Sequence, residues 1–264
     1  MKVNTTLERF GNHGYGRQEG GFESASVVLP VINEVSSLYQ TIDTILEYVG
    51  ESIREVIIVV CHKTTAESLS ACNELGERYV GQIRVIQQKL PFLGGALREG
   101  LLAAGGSHVI VMFSDGESDP RSVGDLISEA RRKPEAIISA SRWLKENSFD
   151  GYPVGKKLLN YLFQKAFSLL YGGNITDFTF GYRIYPVQLI HAIEWKEMGH
   201  SFVLESILKP MRLKVNVIEI PSAWKARSEG ESQVKPYMYL RYLWIGLKIR
   251  ITQRIPFKSN TLSK

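Results

Sequence analysis

Cysteine is scarce in this chain. The two residues, Cys61 and Cys72, have neither C-x-x-C nor any other metal-ligand spacing, so no disulfide framework or zinc cluster is implied. No apolar run approaches the roughly 20 residues needed to span a bilayer; the nearest, 101–114, is interrupted by two glycines and a histidine. The polar, glycine-rich opening, residues 1–21, has no signal-peptide core and is read as a flexible tail, which predicts a cytoplasmic chain. Repeats and low-complexity tracts are also missing, which excludes a fibrous protein, and 44% apolar residues exclude disorder.

Acidic residues are missing from Lys235 onward, where seven Lys or Arg stand without a single Asp or Glu. The other 25 basic residues share the first 234 positions with all 27 acidic ones. The net charge of +5 thus belongs to one segment rather than to a whole face, which speaks against nucleic-acid binding. That segment, 235–264, contains a helical pattern at 237–252 in which Tyr237, Tyr239, Tyr242 and Trp244 alternate with Arg241, Lys248 and Arg250. It predicts peripheral docking on the cytoplasmic membrane surface at headgroup level. Packing of the aromatic stripe on the core is the alternative.

The remainder, residues 22–234, reads as one α/β domain. Short apolar runs at 26–31, 56–60, 83–86, 109–113 and 136–140 are separated by helical patterns near 34–49, 65–79 and 95–104 and by a helix after Asp119-Pro120. Continuous β-branched runs between helices predict a parallel sheet covered on both faces. Asp119 is expected as N-cap, with Pro120 in the first helical position. Beyond Arg142 the pattern changes to a long helix, 154–171, an extended stretch, 179–185, a helix near 202–213 and a strand near 215–220. These are expected to complete the same domain with a mixed sheet.

In an open α/β sheet, ligands bind beyond the carboxyl ends of the strands. Here those ends read Asn33-Glu34, Cys61-His62-Lys63-Thr64 and Ser114-Asp115-Gly116-Glu117. Asp115 and Glu117, two apart at a strand end, project to the same side and suit one hard divalent cation, Mg2+ or Mn2+; the alternative is that they only begin a turn. Neither G-x-G-x-x-G after the first strand nor a Walker P-loop is present, which excludes dinucleotide-type and P-loop phosphate sites. Cys61 and His62 lack a partner cluster and read as a strand end and loop, with His62 a candidate contact to a nucleobase. Glu205, alone in an apolar helix, requires a partner: Arg183 in a structural role, or a substrate proton as catalytic base.

The series VVLPVINE (27–34), GGALREG (94–100), VIVMFSDGESDP (109–120), SRW (141–143), DFTFGYR (177–183) and ARSEGES (226–232) resembles glycosyltransferase family 2, in order and spacing. More narrowly it is similar to the dolichyl-phosphate mannose synthase, or polyprenyl-phosphate glycosyltransferase, branch. The resemblance implies a GT-A fold, a nucleotide-sugar-binding α/β sandwich, and metal-dependent, inverting transfer of one sugar from a GDP- or UDP-linked donor to a polyprenyl phosphate. A saccharide acceptor in cell-surface polysaccharide synthesis, with Glu205 or Asp177 as base, is the alternative; a non-catalytic nucleotide-sugar-binding homologue is the third reading.

Carried over residue by residue, the resemblance puts Pro30, Asn33 and Glu34 in the nucleotide pocket and Asp115 on the metal and diphosphate. Glu117 falls at the next metal-side position and Arg227 against the diphosphate. Arg142 and Lys156 match positions on the acceptor phosphate, while Asp177, Gly181 and Arg183 belong to the active-site floor. With Glu205 added from its place in the apolar helix, the expected catalytic set is Asp115, Arg142, Arg183 and Glu205. The chain departs from the pattern in three places: Cys61-His62 stand where a base-contacting Asp pair is usual, Phe113 where D-x-D begins, and Gln233 where a lysine is common.

Overall fold

The structure is a computed structural model and describes residues 21–172, 175–227 and 237–257, with side chains from Leu240 onward in the last stretch. The 1–21 tail, apart from Gly21, and Gln233 therefore lie outside the described residues, as do Lys235 and the side chains of Tyr237 and Tyr239.

Strands β1 (Ala25–Pro30), β2 (Ile53–Val60), β3 (Ile83–Gln87) and β4 (His108–Val111) run parallel, and β5 (Ile137–Ser141) pairs parallel with β8 (Val217–Pro221). Between these blocks lies β7 (Arg183–Pro186), antiparallel to both β4 and β5. The sheet order is β3-β2-β1-β4-β7-β5-β8. Because β7 runs the other way, it begins at the rim where the parallel strands end: Arg183 pairs with Val111, the last residue of β4. A two-stranded ribbon, β6 (Phe149–Asp150) with β9 (Trp224–Lys225), lies outside this sheet.

Two apolar clusters cover the two faces of the sheet. One face is covered by α1 (Ser36–Val49), α2 (Ala66–Arg78) and α4 (Ser122–Arg132). The other carries α3 (Phe92–Ala103), α5 (Val154–Tyr171), α6 (Val187–Ala192), α7 (Phe202–Arg212) and α8 (Tyr237–Ile251). Alternate residues of β1 divide between the clusters, Val28 to one and Val27 and Leu29 to the other, which is why the run shows no polar alternation. Thr65 caps α2, its hydroxyl accepting from Ser68 N at 3.2 Å.

Two expectations are corrected. The 83–86 run is an edge strand, with Arg84 and Val85 exposed, because nothing pairs beyond it in the sheet. The fourth helix starts at Ser122, not at Pro120. Asp119 instead closes a turn, its carboxylate accepting from Arg121 N and its carbonyl from Ser122 N. Among the described residues no helix is long and apolar enough to cross a membrane.

Candidate active site

The parallel strands deliver three loops to one rim. After β1, the Glu34 carboxylate accepts from Ile32 N at 2.7 Å and Asn33 N at 3.0 Å and folds the loop on itself. After β2, the Thr64 hydroxyl accepts from Cys61 N and donates to Val31 O, tying this loop to the first. Cys61 is half-buried, its Sγ accepting from Lys63 N, whereas His62 faces solvent. After β4 comes Asp115, whose Oδ1 accepts from Glu117 N at 3.1 Å, so that one turn holds both acids.

Those two carboxylates address a single positive group. Arg227 Nη2 lies 3.1 Å from Asp115 Oδ2 and 2.8 Å from Glu117 Oε1, and its Nε donates to Glu117 at 2.9 Å. Glu117 Oε2 accepts from the Trp224 indole at 3.0 Å. The segment bearing Arg227 is pinned by Lys225 N to Glu117 O and Ala226 N to Asp150 O. Burial pushes the Asp115 carboxyl up to about 6; the Glu117 charge adds to this and Arg227 opposes it. Burial lowers His200, and the nearby Arg227 charge lowers it further. The arrangement fits a divalent cation: two carboxylates converge on one centre, and a guanidinium now supplies the positive charge there. Ser114 Oγ, the residue before Asp115, is buried without a hydrogen-bond partner among the described residues. Phe113 supplies no ligand oxygen. Its ring packs against Gly181, where an added Cβ would sit 2.8 Å from Cε2.

Across the rim is a second arrangement. Arg142, nearly buried, gives Nε to Asp177 Oδ2 at 2.7 Å and Nη2 to Asp177 Oδ1 at 2.9 Å. Asp177 is fully buried and also accepts from Gln164 and from the amides of Thr179 and Phe180. Burial alone raises its carboxyl, but the Arg142 charge and hydrogen bonds win and hold it below the usual range. Asp177 N and Thr176 N donate to Glu219, fixing the segment to β8. Beside this pair a cavity of about 250 Å³ is lined by Arg142, Trp143, Leu144, Phe149 and Lys157, among others. The Trp143 indole N–H is buried without a partner among the described residues.

Three sequence expectations change here. Arg183 is fully buried: its guanidinium donates to Ser139 Oγ, Val203 O and Phe178 O, so it braces the core rather than reaching a substrate. Glu205 pairs with Lys209 at 2.6 Å, not with Arg183, and accepts from Lys196 N and Glu197 N, so it is held in the core rather than presented as a base, and the carboxylate that lines the cavity is Glu146. Lys156 is exposed over the Tyr152 ring, and the lysines lining the cavity with Arg142 are Lys145 and its own neighbour Lys157. Sequence reasoning missed Trp224 and His200. Neither has a local signal, because their partners Glu117 and Arg227 are remote in sequence.

Residues 26–193 match the family model described as "Glycosyl transferase family 2". The chain is 25% identical over 232 residues to a dolichol-phosphate mannosyltransferase of Pyrococcus furiosus, a match covering 84% of this chain and 63% of that one. It is 26% identical over 214 residues to an undecaprenyl-phosphate mannosyltransferase of Micrococcus luteus, covering 78% and 86%. The chain thus spans less than two thirds of the Pyrococcus relative. Glucosyl-3-phosphoglycerate synthase from Mycobacterium tuberculosis, solved with Mn2+, UDP and phosphoglyceric acid, superposes with a TM-score of 0.64 at 18% identity, covering 86% of this chain and 78% of that one. This last likeness is one of fold, a GT-A-like α/β architecture with a mostly parallel central sheet.

Proposed function

The chain belongs to glycosyl transferase family 2, and on that premise we propose that it moves one sugar from a nucleotide-diphosphate sugar to a polyprenyl phosphate at the cytoplasmic membrane surface. The observation that carries the choice of acceptor is the state of the two carboxylates that the sequence offered as base. Asp177 is locked to Arg142, and Glu205 to Lys209, both out of solvent. A sugar hydroxyl needs a base to become a nucleophile; a phosphate monoester is already anionic and needs only to be held.

The donor side is the rim formed by Pro30, Asn33, Glu34, Cys61 and His62. Asp115 and Glu117 would hold a Mg2+ or Mn2+ ion, as their shared grip on Arg227 suggests. Such an ion neutralises charge that develops on a departing diphosphate. Arg227, released from the two acids, supplies a second cation to the same diphosphate. On the acceptor side, Asp177 fixes the plane of the Arg142 guanidinium, Lys157 adds a mobile charge, and the Trp143 N–H is a buried donor awaiting an acceptor. Together they suit a phosphate oxygen cluster. Attack from that side, opposite the leaving diphosphate, inverts the anomeric centre.

The test is transfer from a panel of GDP-, UDP- and CDP-sugars, with Mn2+, onto undecaprenyl phosphate and onto free saccharides. Glycosylated lipid phosphate, lost in Asp115→Ala, is expected. Transfer to saccharide alone refutes the acceptor assignment, and no donor turnover at all leaves the binding-only homologue.

A further inference from the structure

Helix α5 buries Phe163 and Phe167 but is otherwise turned against the usual pattern. Its inward side carries polar residues: Gln164 donates to Thr179 and Asp177, and Asn160 also reaches Thr179. Its outward side carries leucines instead, with Leu158 60%, Leu162 56% and Leu169 86% exposed. The spacing, i, i+4 and i+11, keeps them on one stripe of the helix. Helix α8 is apolar on both sides. Tyr242, Ile245 and Ile249 are buried, whereas Leu240, Leu243, Trp244, Leu247 and Ile251 are 41–77% exposed at i, i+3, i+4, i+7 and i+11.

The two helices lie side by side on the same face of the sheet. Phe163 meets Tyr242 edge-on, the Tyr171 hydroxyl donates to Gly246 O, and Arg250 donates to Leu170 O. Gly246 permits this approach, since a Cβ there would stand 2.3 Å from the Phe167 ring. Arg212 of α7 donates to the Ile249 and Thr252 carbonyls and fastens the end of α8. Both inner sides join one core cluster, so both outer stripes face away from it, forming a fixed apolar surface. Contiguous exposed apolar area of this kind marks a docking surface.

The charge on the surface selects its occupant. Neither helix contains an acidic residue, and Lys156, Lys165, Lys248 and Arg250 are all exposed on them. Lys165 and Lys248 lie over the Tyr161 and Trp244 rings, holding charge beside the apolar stripe. A second copy would bring like charge to like, whereas anionic headgroups complement it while their acyl region receives the leucines and Trp244. The surface also leads to the acceptor cavity: Lys157 of α5 lines it, and Trp143, in its wall, touches Tyr161.

We propose that the paired outer faces of α5 and α8 are a bilayer-docking surface that seats the protein on anionic lipid with the Arg142 cavity at the membrane plane. This deepens the lipid-phosphate reading, on which it rests for the acceptor but not for the surface. The test measures co-sedimentation of the full chain with phosphatidylglycerol-containing and pure phosphatidylcholine vesicles, beside transfer to a short-chain, water-soluble polyprenyl phosphate. Preference for the anionic vesicles is expected. Leu162→Glu/Leu247→Glu should abolish binding while short-chain transfer persists, and Lys165→Gln/Lys248→Gln should weaken it by roughly fivefold per cation removed. Wild-type protein that ignores the vesicles, or a double glutamate variant that still binds them, overturns the surface and leaves the acceptor reading standing. Vesicle binding without transfer to either acceptor does the reverse. Self-association dissolved by the glutamates, with no vesicle binding, identifies a copy interface and overturns the proposal.

Discussion

Replacing Arg227 by alanine should change metal binding and turnover in opposite directions. Its Nη2 lies 3.1 Å from Asp115 and 2.8 Å from Glu117, with side-chain exposures of 23%, 11% and 24%. At an effective dielectric of about 20, each pair at such separations is worth roughly 5–6 kcal/mol in bare Coulomb terms. Partial exposure and desolvation reduce this to about 1 kcal/mol apiece. A divalent ion entering without donor must displace that guanidinium, so Arg227→Ala should bind Mn2+ roughly 10–30-fold more tightly, at about 1.4 kcal/mol per decade. With donor present, the same variant loses a cation facing the diphosphate, and kcat should fall roughly 10²–10³-fold. Calorimetric titration of Mn2+ into donor-free protein reads the first effect, and steady-state sugar transfer the second. Unchanged or weaker Mn2+ binding in the variant refutes the idea that Arg227 occupies the cation's place; undiminished turnover refutes its role on the diphosphate.

Further outcomes follow from the same geometry. With its carboxyl raised to about 6 by burial, Asp115 must lose a proton to take a cation, so Mn2+ affinity should fall as pH drops through 6, read by titration at successive pH values. The native state also holds that proton where the unfolded chain does not, so this group stabilises least above pH 6, and its contribution to stability declines between about pH 4 and pH 6 as pH rises. Asp177→Ala strands a buried Arg142 and should cost roughly 3–5 kcal/mol in denaturant unfolding, with Asp177→Asn milder because its amide still meets Gln164 and Thr179. Gly246→Ala drives a Cβ into Phe167 and should destabilise by about 1–3 kcal/mol, with α8 showing the largest gain in amide exchange.

The parallel half of the fold was legible because its strands are buried on both faces and so are apolar without interruption. The run 83–86 misled for the same reason in reverse: I-R-V-I is apolar enough for a core strand, and only the absence of a neighbour makes it an edge. Asp115 and Glu117 were visible as a pair because they are two apart at a strand end. What they meet was not, since Arg227 and Trp224 arrive from over a hundred residues away, through a ribbon of two-residue strands too short to announce itself. Arg183 and Glu205 show the limit of position-matching. Arg183 was found by its place in a motif and Glu205 by its isolation in an apolar helix, but whether a charged group faces a substrate or a core partner depends on the packing of Ser139, Val203 and Lys209 around it. The aromatic terminal helix was read through its tyrosines and Trp244, while the exposed stripe adds three leucines and Ile251 to that tryptophan, with Tyr242 turned inward.

The reversed direction of β7 divides the chain's labour along its length. The rim proposed to meet the donor, up to Glu117, comes from the loops after β1, β2 and β4, and the Arg142–Asp177 wall comes from the stretch that ends where β7 begins. The segment from Trp224 to Arg227 then returns to join them, Trp224 N donating to Ser148 O while its indole and Arg227 meet Glu117. Recombining relatives at the turn after Glu117 and again before Trp224 would therefore exchange what is glycosylated while leaving untouched the loops that choose the sugar's carrier.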